Sequence, residues 1–288
     1  MKVRPAAATL LFPLVLVIAA CAETPVDPGD GGGIDHATTP DHVLVRISSE
    51  GGFTPVEWTY TNFPVYSLFG DGTLVLPGAQ IEIYPGPALP AISSRQVDEA
   101  GIQAILEEAI AAVEDIPADL NDLGYMNIAD ATTTVITVSA GGVDRTIRAY
   151  ALSEQTERPD GMPQREYEAR LRLQELVAKL TGSTDWMPEG SVGPEGTYVA
   201  AAARLFVGGY RPVKDLAQEP APWPLDDSLA DFGAAAAPGG YRCGVVQGED
   251  WEAVLAPATS ANTLTPWTDA GQRYSILFRP LLPDETGC

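Results

Sequence analysis

The chain has 288 residues, 45% of them hydrophobic, which suffices to bury one large core or two smaller ones and excludes disorder throughout. It carries 39 acidic against 17 basic residues, a net charge of −22, and such a surface repels nucleic acid and anionic headgroups alike. Two histidines, His36 and His42, and three cysteines, Cys21, Cys243 and Cys288, set narrow bounds on His- or Cys-based chemistry.

Lys2 and Arg4 precede an apolar run over residues 6–20, interrupted by Pro13. A membrane-spanning helix needs about 20 apolar residues, so the run is short for a span and suits the core of an export signal. It ends Ile18-Ala19-Ala20-Cys21. This tetrapeptide resembles the bacterial lipobox: a branched aliphatic residue, two small residues that fit the signal peptidase, and a cysteine that is lipidated and becomes the new N-terminus. The resemblance implies a signal peptide over 1–20 and a diacylglycerol on Cys21, whose two chains hold a membrane where one binds only reversibly. An ordinary secretory signal that happens to contain a cysteine is the alternative; the basic start, the apolar length and the tetrapeptide together favour the lipobox. Without Lys2 and Arg4, 39 acids face 15 bases, a net of −24, so the body is expected to stand in solvent off its membrane. Residues 21–42 read as a lipidated, flexible tether: they are Gly-rich and nearly free of large apolar side chains. Asp27, Asp30 and Asp35 within it lack the spacing of an EF-hand calcium loop.

From Val43 the texture becomes that of a folded domain, expected over 43–288. A first strand is predicted over 43–48. Strands over 65–69 and 73–76 flank Gly70-Asp71-Gly72, a hairpin signal, and a loop with several prolines follows over 84–90. Asp98 is placed to cap a helix whose Ile102, Ile105, Leu106, Ala109, Ile110 and Val113 share one face, ending before Pro117. β-branched runs over 132–139 and 143–151 flank Ala140-Gly141-Gly142, a second hairpin. A second helix is predicted over 163–180, with Tyr167, Leu171, Val177 and Leu180 on or near its inner face and Gly182 as its stop. Further strands are predicted over 204–210, 241–246 and 274–278, a Pro-rich connection over 214–225, and a short helix over 249–256 ended by Pro257. Hairpins with separated helices predict an α+β fold, mainly antiparallel sheets with two or three packed amphipathic helices. The Gly- and Pro-rich stretch over 182–197 is a possible subdomain boundary, and one continuous core is the alternative.

Cys243 and Cys288 remain after Cys21, and two thiols in an exported domain usually pair. A bridge would pin the C-terminus to the strand at 241–246; a buried free Cys243 with a frayed tail is the other reading. Both histidines fall in the tether or at its edge, so Ser-His-Asp, Cys-His and His-ligated zinc chemistry are excluded from the body unless His42 folds back. No P-loop, G-x-G-x-x-G, G-x-S-x-G or H-E-x-x-H is present, so no cofactor and no metal are expected. Glu107-Glu108 and Asp226-Asp227 read as solvated acids, and Lys179 and Lys214 as surface lysines. Trp58, Trp186, Trp223, Trp251 and Trp267 sit near element ends or in loops; sealing loops onto the core is the plainer role, stacking on sugars the functional one. Pro220-Ala221-Pro222-Trp223-Pro224 could form a polyproline segment that docks a partner, or a stiff crossing loop.

Residues 51–55 (GGFTP), 84–90 (YPGPALP), 242–246 (RCGVV) and 278–283 (FRPLLP) are phrases in which the chain resembles an uncharacterised family of secreted actinobacterial lipoproteins. The resemblance spans most of 43–284. It implies export and lipidation and brings no catalytic residues with it. The expectation is therefore an extracytoplasmic, lipid-anchored binding or interaction module of the cell envelope, with an envelope protein or glycan as partner. The alternative is a hydrolase of cell-wall or extracellular glycans built on two carboxylates about 5–9.5 Å apart, flanked by tryptophan.

Overall fold

The structure, a computed structural model, describes residues 32–120, 128–155, 157–235 and 239–288. Cys21 and the expected signal peptide lie outside the described residues. Residues 33–288 form one compact unit, an α+β fold of two mixed, mostly antiparallel sheets and four helices among the described residues. None of these helices is long and apolar enough to cross a membrane.

The elements of the first half are β1 (Val43–Gly51), α1 (Val56–Thr61), β2 (Tyr66–Phe69), β3 (Thr73–Pro77), β4 (Ile92–Gln96), α2 (Glu99–Val113), β5 (Asp119–Leu120), β6 (Thr132–Ala140), β7 (Val143–Tyr150), α3 (Gln164–Thr181) and β8 (Gly196–Thr197). Their strands make an eight-stranded sheet in the order β5-β7-β6-β1-β2-β3-β4-β8, antiparallel except for β5 beside β7. Ile47 pairs with Ile136 and Ile136 with Ile147, so three isoleucines stand in a row across adjacent strands, all buried. Such cross-strand contacts fix the register, and each buried aliphatic side chain contributes about 1.5–3 kcal/mol. A register irregularity between Val43 and Val45 lets consecutive Leu44 and Val45 both bury.

α2 and α3 cover this face of the sheet. The Asp98 carboxylate accepts from Gly101 N at 3.0 Å, and Ile102, Ile105, Leu106, Ala109 and Val113 are buried as the periodicity requires. α3 departs from expectation. Its buried face is Ala169, Arg170, Leu173, Leu176 and Leu180, while Leu171 is 37% exposed. Arg170 goes inside because its guanidinium donates to Gln155 Oε1, Leu120 O and Tyr150 O.

The second half contains β9 (Ala202–Gly209), β10 (Ala221–Pro222), β11 (Ala234–Ala235), β12 (Arg242–Gln247), α4 (Gly248–Ser260), β13 (Trp267–Asp269) and β14 (Gln272–Pro280). These strands form a six-stranded sheet in the order β10-β13-β14-β9-β12-β11. Ala203, Leu205 and Val207 of β9 alternate inward with Ile276 and Phe278 of β14, and Trp251, Val254 and Ala258 of α4 close the core over them. Pro257 lies inside α4 rather than ending it. The turn after it persists because Ala258 is buried and Ala261 N donates to Ala258 O at 3.2 Å. Ala221-Pro222 is an edge strand paired with Trp267-Thr268, and Trp223 is buried with its indole N–H donating to Asp227 O at 2.8 Å, so this segment is no free polyproline ligand.

The stretch over 182–197, a possible subdomain boundary, is packed on the first sheet: Asp98 N donates to Ser191 O and Gly193 N to Gln96 O, Met187 is buried, and β8 pairs with β4. The passage to the second sheet follows directly, between β8 and β9. One further expectation needs correction: the solvated segment does not extend to residue 42. Residues 33–42 form an arm docked on the body. Ile34 packs against the first core and shares two hydrogen bonds with Gln103, at 2.6 and 2.9 Å, and Gly141 N donates to Asp35 O at 2.7 Å.

Candidate functional site

A cleft of about 670 Å³ opens between the β4–β8 edge of the first sheet and α4. One wall is the backbone of 195–200 with Leu89, Ala91 and Ile92; the other is Trp251, Leu255 and Thr259 of α4. Trp251 is held in place by its indole N–H, which donates to Ala200 O at 3.0 Å. Val199 lines the cleft and is 79% exposed. From Gly78 and Ala79 on the rim a loop runs outward and returns at Leu89, presenting Ile81, Ile83 and Tyr84 to solvent at 64%, 58% and 69% exposure. Its base is fastened to the end of α4, where Ala88 N donates to Ala261 O at 3.1 Å and Thr263 N to Gly86 O at 2.8 Å. Singly scattered exposed apolar residues are ordinary; here three stand on one loop that adjoins an apolar cleft.

The cleft has little reactive chemistry. Its one acid, Glu195, is engaged by Arg95 at 2.7 Å. Among the described residues no second carboxylate lines this tryptophan-bearing cleft, so they provide no glycosidase-type pair there. A separate cavity of about 610 Å³ does gather acids, Asp115, Asp119 and Glu166, but mixes them with Arg145, Arg165 and Arg172 and has no tryptophan in its lining. Arg145 caps the end of α2 there, donating to Val113 O at 2.8 Å and to Ile116 O.

Both histidines belong to the folded arm, contrary to expectation. His36 is nearly enclosed, its Nε2 3.3 Å from both Glu99 carboxylate oxygens and its Nδ1 2.8 Å from Ala37 O. His42 Nε2 lies 3.2 Å from Ser139 Oγ, so a His–Ser pair does exist. Among the described residues no carboxylate is hydrogen-bonded to His42, and neither member lines the clefts described here. A triad needs an orienting acid and a place for substrate.

Of the other sequence candidates, Cys243 on β12 and Cys288 are disulfide-bonded, with Cα atoms 6.0 Å apart. Glu108 pairs with Lys179 at 2.7 Å, Glu107, Asp226 and Asp227 are exposed, and Lys214 is exposed. Trp223, Trp251 and Trp267 are buried in the second core; Trp58 and Trp186 are half-buried. Among the described residues no group of three or more His, Cys, Asp or Glu is placed to hold a metal ion. Sequence reasoning missed the cleft, because its walls come from three distant segments and none of its residues forms a motif. Comparison with protein-family models, with curated proteins and with solved structures finds no match.

Proposed function

We propose that this chain is an extracytoplasmic lipoprotein, anchored by lipid on Cys21, whose folded unit is a non-enzymatic binding module of the cell envelope. It engages an envelope protein or glycan through the cleft between β8 and α4. The observation that carries the reading is the lining of that cleft: apolar walls, the exposed Val199, and a single acid paired with Arg95. Such a surface gains by covering apolar area and offers no general acid–base pair. The anchor rests on the Ile18-Ala19-Ala20-Cys21 tetrapeptide and on the resemblance to secreted lipoproteins.

Val199→Asp places a charge in the lining of the cleft and Ile83→Asp places one on the loop that leaves the cleft at Ala79, both at exposed positions outside the cores. Both should retain the parent's melting temperature and lose retention of envelope material by the purified protein. Cys21→Ser should move the protein from the membrane fraction to the soluble one, and intact mass of the N-terminal peptide should show the acyl groups in the parent. Retention unaffected by both substitutions refutes the binding assignment; an unmodified Cys21 refutes the anchor.

A further inference from the structure

A smaller cavity of about 250 Å³ lies on the helix-covered side of the first sheet, between β2–β4 and the end of α3. Two of its lining residues carry buried nitrogen atoms with no hydrogen-bond partner among the described residues, Arg95 Nε and Trp186 Nε1. Both are obligate donors: an indole nitrogen and a guanidinium cannot accept. Buried donors are normally satisfied, and an unsatisfied pair at one cavity points to an absent acceptor.

The surroundings define that acceptor. Arg95 commits Nη2 to Glu195 at 2.7 Å, which leaves its Nε free. Trp186 is fixed from outside by the Lys179 ammonium, 4.7 Å from its ring centroid, itself paired with Glu108. Tyr66 also lines the cavity, and burial pushes its phenol pKa up, so it stays a neutral hydroxyl. Leu74, Leu76 and Leu180 supply an apolar wall. Among the described residues no acid lines the cavity, although the chain has 39 acidic residues against 17 basic.

We propose that this cavity binds a short-chain carboxylate, its oxygens accepting from Arg95 Nε and Trp186 Nε1 and its alkyl chain lying against the three leucines. With Nη2 held by Glu195, Arg95 offers a single charge-assisted bond through Nε, and the two oxygens of a carboxylate would divide between it and Trp186 Nε1. Because Arg95 and Lys179 are each already paired, the attraction rests on hydrogen bonds and packing, and the affinity is modest.

The test uses the full-length protein as purified, with propionate as the probe. The Trp186 indole N–H resonance is the one that disappears in Trp186→Phe. It should shift saturably with propionate and stay in place with propanol, which has the same chain and no charge. Trp186→Phe, which keeps a ring against Lys179, should weaken propionate binding roughly tenfold, as expected for losing one hydrogen bond to a charged group. Arg95→Gln should weaken it at least as much; if that variant fails to fold, Trp186→Phe decides alone. A non-saturating shift, an equal response to propanol, or unchanged binding in Trp186→Phe means the donors face ordered water only and overturns the proposal. The substitutions at Val199 and Ile83 should leave propionate binding untouched, so this result stands or falls apart from the role of the larger cleft.

Discussion

Arg170 is among the largest fully buried side chains, and it sits where an amphipathic helix would ordinarily place leucine. Burial pushes its pKa down, opposed by the charges of Glu166 and Glu154. It remains a donor to three separate pieces of chain: the Leu120 carbonyl at 2.7 Å, the Tyr150 carbonyl at the end of β7, and the Gln155 side chain in the loop before α3. The side chain thereby replaces the water those acceptors would otherwise require. Arg170→Met keeps the length and apolar stem and removes every donor. Because each orphaned buried acceptor costs about 1–3 kcal/mol, the variant should lose roughly 3 kcal/mol in urea unfolding, with Arg170→Lys in between. A loss within about 0.5 kcal/mol, the range of an ordinary surface change, would show that the acceptors find other partners.

At the scale of elements, the arm over 33–42 shows how a segment with almost no hydrophobic content can still fold. Its one apolar anchor is Ile34, set against Gly141, and its remaining attachments are backbone hydrogen bonds and two histidine side chains, His36 at Glu99 and His42 at Ser139. Gly70 makes this possible. A Cβ there would stand 2.5 Å from Ala37 O and 2.7 Å from Thr39 O, so only glycine lets the arm cross the β2–β3 hairpin. Gly70→Ala should lift the arm while leaving the body folded, seen as faster amide exchange at Gly141, whose N–H donates to Asp35 O. The loss should be about 1–3 kcal/mol, mainly the burial of Ile34. Unaltered exchange at Gly141 would place the arm's hold elsewhere. The sequence made α2 and both hairpins legible, since their signals are local: a capping Asp98, a helical period, Asp-Gly and Gly-Gly turns. It could not make the arm legible, because one isoleucine among glycines and acids has no period. β4 hid for a related reason: it buries Ser93 beside Ile92, so its pattern is not apolar. α1 is six residues long with none buried, and only its tertiary contacts reveal it. The cleft at α4 was illegible for the same cause as the arm, since packing between remote segments leaves no trace in a short window.

Across the whole unit, the last residues of the chain bond to both sheets, whose cores are separate. Leu282 packs with Phe69, Val75 and Ile92 on the open face of the first sheet. Asp284 takes Arg46 of β1 in two bonds of 2.7 Å, and Glu285 takes Arg279 of β14 the same way, while Arg279 also lies over Phe63 at 3.8 Å. Tyr198 donates to Leu281 O at 2.9 Å, its pKa pushed up to about 12 by burial and then by Glu285 and Asp284, against Arg279. From the other side, Tyr60 of α1 stacks on Phe206 at 4.3 Å. The Cys243–Cys288 bond fastens the end of this clasp to β12 and closes a separation of 45 residues. A loop of that length restricts the unfolded chain by about 4 kcal/mol, so the paired Cys243→Ala, Cys288→Ala variant should lose about 2–4 kcal/mol. That loss should still appear as one cooperative transition, because Arg46–Asp284 and the Leu282 contact keep the sheets coupled without the sulfurs. Adding Asp284→Asn and Glu285→Gln to the same variant removes the ionic hold on both sheets. Calorimetry should then resolve two transitions, the second sheet melting first, since its core contains fewer buried side chains than the first. A single transition persisting in the quadruple variant would mean that the contacts it leaves intact, Tyr60 on Phe206, Leu282 on the first sheet and the backbone bonds of Gly86 and Ala88 to the end of α4, suffice to unite the two halves.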